Sequence, residues 1–215
     1  MRYETRPMRI VLCLVLLAAL LPAHGPARAA DSIGHATRVQ ARAHLLRSGD
    51  DIQLAEGDAI LAGDAIVTDA TGRAEVRLAD GSVLTVGGDT RFTADAWLLN
   101  EDGALTDGLL ELARGAFRFV TGPGLAADPE AFQVRTPLAE IGIRGTDFWG
   151  GHLTPGELGV LMIEGAGVRV STGGGTRFIG LPGWGLTVTR ADLPPRGLGP
   201  WKAAKVSRAV ATVRS

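Results

Sequence analysis

From Ala74 to Val86 the chain can do little other than form a β-hairpin. Ala74, Val76 and Leu78 alternate with Glu75 and Arg77, which puts the apolar side chains on one face of an extended segment. Asp80-Gly81 follows and is expected as a two-residue loop, since both positions tolerate positive φ. Ser82 to Val86 returns, and Gly87-Gly88 closes the unit. The same organisation continues downstream. Leu109–Ala113 ends at Arg114-Gly115. Ala116–Val120 carries Phe117 and Phe119 on one face and ends at Thr121-Gly122-Pro123-Gly124. Phe132 and Val134 lead into Thr136-Pro137, and Ala139, Ile141 and Ile143 alternate up to Arg144-Gly145-Thr146. Gly159–Ile163 is apolar enough for a strand buried on both faces. Val168–Thr172 and Thr176–Ile179 flank a run of glycines as a further hairpin, and Leu186–Thr189 is expected as the last strand. Thr37–Leu46 has room for a first strand pair. Turns recurring about every 8–12 residues predict an all-β sandwich, barrel or solenoid of many short strands.

Three Gly-Asp-x-Ile elements begin at Gly49, Gly57 and Gly63. Glycine admits positive φ and aspartate can bond its own backbone two residues on, so each is expected as a turn opening a strand. Calcium-binding repeats are the alternative, but the spacing is irregular and the tandem nonapeptide is absent. Leu125–Pro129 is expected as a surface loop and Leu193–Pro200 as a linker. Beyond the linker, Trp201–Ser215 has a weak helical pattern. Ala203, Val206, Val210 and Val213 fall near one face, while Lys202, Lys205 and Arg208 fall on another. Such a basic tail helix either lies on the sheet or touches anionic lipid or a partner.

The N-terminus is laid out as an export signal. Arg2, Arg6 and Arg9 precede an uncharged apolar run, Ile10–Leu21, and Ala27-Arg28-Ala29 forms a small-x-small cleavage site. At about 1.5 Å per residue the apolar run falls well short of a bilayer core of about 30 Å, which disfavours an uncleaved anchor. Cleavage after Ala29 removes Cys13, the chain's single cysteine, so the mature protein is expected to fold by packing alone in an oxidising compartment. Of 22 basic and 23 acidic residues, four arginines and one glutamate lie in residues 1–29, leaving 18 basic against 22 acidic. That balance gives no electrostatic case for nucleic acid. The expected organisation is a signal peptide over residues 1–29, an all-β domain over 30–192, and a linker with a basic tail over 193–215.

An ordered series of these motifs resembles the FecR domain family of the Gram-negative periplasm. It runs through Gly57-Asp58-Ala59-Ile60, Gly63-Asp64-Ala65-Ile66-Val67-Thr68, Ala74-Glu75-Val76, and Leu78-Ala79-Asp80-Gly81-Ser82. It continues with Leu110-Glu111-Leu112-Ala113-Arg114-Gly115-Ala116-Phe117 and Phe132-Gln133-Val134-Arg135-Thr136-Pro137. It ends with Ile141-Gly142-Ile143-Arg144-Gly145-Thr146-Asp147-Phe148. The resemblance covers about Ser48 to Thr172. It implies a FecR-like β-solenoid or β-sandwich with a short C-terminal helix or tail, and protein or ligand interaction rather than catalysis. In the family's namesake type the domain relays a signal from an outer-membrane transporter to a cytoplasmic sigma factor. Here no cytoplasmic segment or spanning helix of about 20 apolar residues precedes the domain, so the expectation is a freestanding exported version with an envelope protein partner.

The residues singled out as family-motif or partner-binding candidates are Asp80, Gly81, Thr136, Pro137, Arg144, Gly145 and Thr146. Arg144-Gly145-Thr146 is either a structural corner, with Arg144 paired to Asp147 or Glu140, or a loop that binds a partner or anion through a fixed guanidinium. No catalytic, cofactor or metal residues are assigned. Gly-x-Ser-x-Gly is absent, and His35, His44 and His152 are expected to be solvated. The acids sit mostly in Gly-Asp turns and offer no opposed pair for glycoside cleavage. Trp97, Trp149, Trp184 and Trp201 are expected to pack in the core or at its edges. A sugar-stacking platform built from them is the basis of the alternative function, a glycan-binding module at the cell wall or outer membrane.

Overall fold

A computed structural model describes residue 1, residues 32–125 and residues 129–214. The expected signal peptide falls almost wholly outside these residues. The strands are β1 (Ser32–Gln40), β2 (Ala43–Arg47), β3 (Asp50–Gln53), β4 (Ala59–Leu61), β5 (Ala65–Thr68) and β6 (Arg73–Leu78). They continue with β7 (Val83–Val86), β8 (Arg91–Leu99), β9 (Leu105–Arg114), β10 (Ala116–Val120) and β11 (Phe132–Arg135). The last five are β12 (Glu140–Thr154), β13 (Glu157–Thr172), β14 (Gly175–Ile179), β15 (Trp184–Val188) and β16 (Arg196–Pro200), followed by helix α1 (Ala203–Ala211). The all-β expectation holds. One continuous sheet curls into a half-barrel.

The sheet has two limbs. One is β3-β2-β5-β8-β9-β11, the other is β10-β7-β6-β1-β4, and β12 joins them. The chain crosses between limbs repeatedly: β1 pairs with β6 and β4, whereas β2 pairs with β3 and β5. The strand pair expected within Thr37–Leu46 is therefore not a pair, because Gln40 and Ala43 lie on either side of a corner and go to different limbs. The Gly57-Asp58 and Gly63-Asp64 turns are such corners too. Their carboxylates reach back rather than forward: Asp58 accepts from the Ala55 N–H at 2.8 Å and Asp64 from the Leu61 N–H at 2.7 Å. Asp64 is buried and also receives Arg47 through two bonds of 2.8 and 2.6 Å.

The limbs face each other across an aromatic core. Phe92 of β8 lies 5.2 Å from Phe117 of β10, and Phe119 stacks on Phe132 of β11 at 4.5 Å. Phe148 of β12 meets Phe117 edge-on at 5.4 Å. The alternation that put Phe117 and Phe119 on one face thus supplies the contact that closes the half-barrel. Each buried ring contributes about 1.5–3 kcal/mol by leaving water.

Three loop expectations change. Between β6 and β7 pairs run from Ala74–Val86 to Arg77–Val83, and the Leu78 N–H donates to the Ser82 carbonyl at 2.8 Å, so that three residues, Ala79-Asp80-Gly81, lie between Leu78 and Ser82. Gly81 sits at φ +86°, and its N–H closes a turn onto the Leu78 carbonyl; this is a turn with a glycine bulge rather than a two-residue loop. Leu125 is buried at the start of the expected surface loop; residues 126–128 lie outside the described ones. The expected linker contains β16, which pairs with β15. Proline is tolerated there because β16 is an edge strand with one neighbour. Helix α1 lies on the sheet: Ala209 and Val213 pack on buried Trp149 and Leu161, and the Trp149 indole N–H donates to the Thr212 hydroxyl at 2.9 Å. No described helix is long and apolar enough to cross a membrane.

Phe119 touches Trp97 and Phe132 of the opposite limb and Phe148 of the joining strand. Phe119→Ala is expected to destabilise the fold by about 3–5 kcal/mol, the cost of an aromatic truncation that leaves a cavity. Urea unfolding measures it.

Candidate functional site

Six of the seven candidate residues serve the backbone. The Asp80 carboxylate is buried and accepts from the Ser82 N–H at 3.0 Å and the Ser82 hydroxyl at 2.6 Å. The Ser82 oxygen in turn accepts from the Gly122 N–H at 2.8 Å. The Gly124 N–H donates to the Asp80 carbonyl at 3.1 Å, so the β6–β7 turn is fastened to the segment after β10. Pro123 lies directly over Gly81, where a Cβ would come within 3.0 Å of its ring.

Thr136-Pro137 forms the turn from β11 to β12. The Thr136 hydroxyl donates to the Ala139 carbonyl at 2.9 Å and accepts from the N–H groups of Leu138 at 3.1 Å and Ala139 at 2.9 Å. Proline suits this turn because its fixed φ costs no further ordering.

Gly145 and Thr146 make the pivot of β12. Residues 140–142 pair with β11, whereas 147–151 pair with β10, on the same edge. Gly145 adopts φ +53°, a left-handed conformation costly for other residues. Thr146 is buried, and its hydroxyl faces the carbonyls of Arg144 and Gly167, each at 2.8 Å. Its backbone exchanges two bonds with the Thr121 hydroxyl, which donates to the Thr146 carbonyl at 2.8 Å and accepts from its N–H at 2.9 Å. Thr121 adjoins Gly122, so the pivot and the Asp80 turn form one buried network.

Arg144 differs from the rest. It is exposed, and its guanidinium has no hydrogen-bond or ion-pair partner among the described residues. Both acids expected for it are engaged elsewhere. Asp147 is held by Arg118 through bonds of 2.8 and 2.6 Å, and this hydrogen bonding raises the Arg118 pKa. Glu140 receives Gln133 at 3.2 Å and lies 3.8 Å from Arg135. The corner is thus real, but Arg144 does not build it.

Instead Arg144 lines an outward concavity of about 200 Å³ with Gly142, Gly167, Arg169, Phe178 and Glu130. Arg169 and Phe178 are not among the sequence candidates. The signal for them was present: the hairpin around Gly173-Gly174 pairs Arg169 with Phe178, on the face opposite Val168 and Val170. Two further concavities flank this one, lined by Thr136-Pro137 and by Gly145-Thr146.

Other candidates separate. His44 bonds Asp51 at 2.7 Å on the surface, and the His152 ring bonds the Gly115 carbonyl at 3.1 Å. Among the described residues no three of His, Cys, Asp and Glu converge to hold a metal. Trp97 and Trp149 are buried, so the four tryptophans do not form a sugar-stacking platform.

The model of the FecR protein family matches residues 64–166, which contain all seven candidates. Over those residues the chain is similar to the FecR protein family. Two crystal structures of a "putative anti-sigma factor" from Parabacteroides distasonis ATCC 8503, at 1.65 and 2.50 Å resolution, share the fold over 66% of this chain. Each has a TM-score of 0.53 and 20% identity, and the likeness takes in 62% of its length, less than two thirds. No curated protein matches the sequence. The FecR match stops part-way through the residues that line the Arg144 concavity. Its last residue is Ala166, and Gly167, Arg169 and Phe178 follow it.

Removing the Thr146 hydroxyl leaves buried backbone groups unpaired. Thr146→Val is therefore expected to cost about 1–3 kcal/mol, whereas Arg144→Ala should change stability by no more than about 0.5 kcal/mol. Chemical denaturation of both variants checks this division.

Proposed function

We propose that this chain is a non-enzymatic FecR-domain protein, exported to the Gram-negative periplasm, that serves envelope signalling by binding another protein. The observation that carries the reading is Arg144. Within a motif whose other residues are consumed by turns and the pivot, it alone offers an unpaired functional group to solvent. A guanidinium kept exposed beside a rigid buried network is positioned for recognition, because little ordering remains to be paid on binding. Support for a regulatory role comes from the FecR match and from neighbours of the same fold that are named as anti-sigma factors. Support for export comes from the n-region, apolar run and cleavage site of residues 1–29.

The test is photo-cross-linking in cells with the full chain, placing the reactive residue at position 178 or, as a control, at position 98. Both native side chains are well exposed, and Leu98 lies on β8 of the opposite region of the sheet. A discrete protein adduct from position 178, recovered in the periplasmic fraction and reduced severalfold by Arg144→Glu, is expected. Equal adducts from both positions, or none from position 178, would overturn the binding face. Retention of the chain in the cytoplasm would overturn the export reading.

A further inference from the structure

We propose that the concavity between Arg144 and Arg169 is a carboxylate-binding site that takes an acidic side chain of a peptide segment. The inference rests on the protein-binding reading and names the chemistry of the partner. It follows from the ladder. In the β12–β13 register Gly142 faces Arg169 and Arg144 faces Gly167. The two arginines are therefore diagonal neighbours on the outward face, with a glycine opposite each. Diagonal partners lie about 7–8 Å apart, within reach of each other's long side chains.

The glycines form the floor. A Cβ at Gly142 would lie 3.3 Å from the Arg169 guanidinium, and one at Gly167 would strike the Phe178 ring. Arg169 thus lies flat over Gly142, and Phe178 covers Gly167. Side chains at these two positions would fill the space between the guanidinium groups.

Two like charges side by side are unfavourable without an anion. The chain supplies one carboxylate: Glu130 meets Arg169 at 2.9 Å, with both side chains at least half exposed. Arg144 receives none from the described residues. One compensated and one uncompensated guanidinium around one concavity call for a further negative group. The Glu130 contact shows that a carboxylate seats on this surface. A planar guanidinium pairs with a carboxylate through two parallel N–H···O bonds. The Phe178 ring, 52% exposed, adds an apolar wall that a bare inorganic anion would leave wet. An acidic residue beside an apolar one, in an extended peptide, satisfies all three features.

The probe is a capped five-residue peptide bearing two glutamates and a central valine, compared with its glutamine counterpart and with inorganic phosphate. Binding to the purified full chain is followed by NMR at the Nε–Hε groups of Arg144 and Arg169 and the backbone amides of Gly142 and Gly167. The glutamate peptide is expected to give saturable shifts that weaken at least tenfold in Arg144→Gln and in Gly167→Val, and fade with added salt. Should Gly167→Val fail to fold, Arg144→Gln carries the test alone. Shifts of equal size from the glutamine peptide, unchanged affinity in Arg144→Gln, or tighter binding of phosphate would each overturn the carboxylate assignment. The peptide titration and the cellular cross-linking fail separately. A cross-linked partner without glutamate binding removes this inference and leaves the protein-binding reading standing. Glutamate binding without a cross-linked partner does the reverse.

Discussion

Two limbs of one sheet can share a single core only if some strand belongs to both, and β12 meets that constraint. Its first residues pair with β11, its later ones with β10, and its other edge carries β13 throughout. A straight strand cannot do this while keeping its apolar residues inward. Ile141 and Ile143 point to the core from odd positions, whereas Thr146 and Phe148 do so from even ones. The inward-facing phase slips by one residue between Ile143 and Thr146. The slip falls at Gly145, whose φ of +53° turns the chain there. The hydroxyls of Thr146 and Thr121 satisfy the backbone groups that the slip takes out of the ladder.

That slip also explains where the exposed chemistry sits. At a regular position a residue between two inward neighbours lies over the sheet and contacts the next side chain along its face. Arg144 and Gly145 instead face outward in succession, so Arg144 stands at the end of a row, next to the small residue of the pivot. Asp147, the acid nearest in sequence, falls on the far side of the slip and is taken by Arg118. The expected pairing of Arg144 with Asp147 fails for this reason: it assumes one uninterrupted strand.

Much of the fold was legible because its signals are local. The alternation around Asp80-Gly81, the Phe117 and Phe119 face, the buried run at Gly159 and the glycine hairpin after Thr172 all correspond to strands. The errors share a cause as well. Thr37–Leu46 reads as two neighbouring strands, and nothing local reveals that β1 and β2 diverge to opposite limbs. Leu193–Pro200 reads as a linker, because composition cannot distinguish a solvated connection from an edge strand that tolerates proline. The Gly-Asp elements were legible as turns but not as corners between limbs. The buried Asp64 pairs with Arg47, 17 residues earlier, a partner fixed by the crossing of the chain. For the candidate site the motif residues were visible, but their roles were not. Arg169 and Phe178 become neighbours of Arg144 only once the β13–β14 hairpin is laid beside β12.

The separation of roles within Arg144-Gly145-Thr146 bears on how a fold of this kind acquires a partner. Gly145 and Thr146 are committed to joining the limbs, and altering them would disturb the aromatic core that the junction brings together. The Arg144 side chain is held in place by the same backbone yet makes no bond within it. Its surroundings, Gly167, Arg169 and Phe178, come from the part of β13 and from β14 that extend beyond the FecR match. A rigid residue inside the matched segment is therefore framed by residues outside it. Changes in the β13–β14 hairpin can reshape what Arg144 meets without touching the pivot, because β14 is an edge strand whose one neighbour is β13. Stability and recognition are then set by different side chains of one motif, and the second can vary while the first stays fixed.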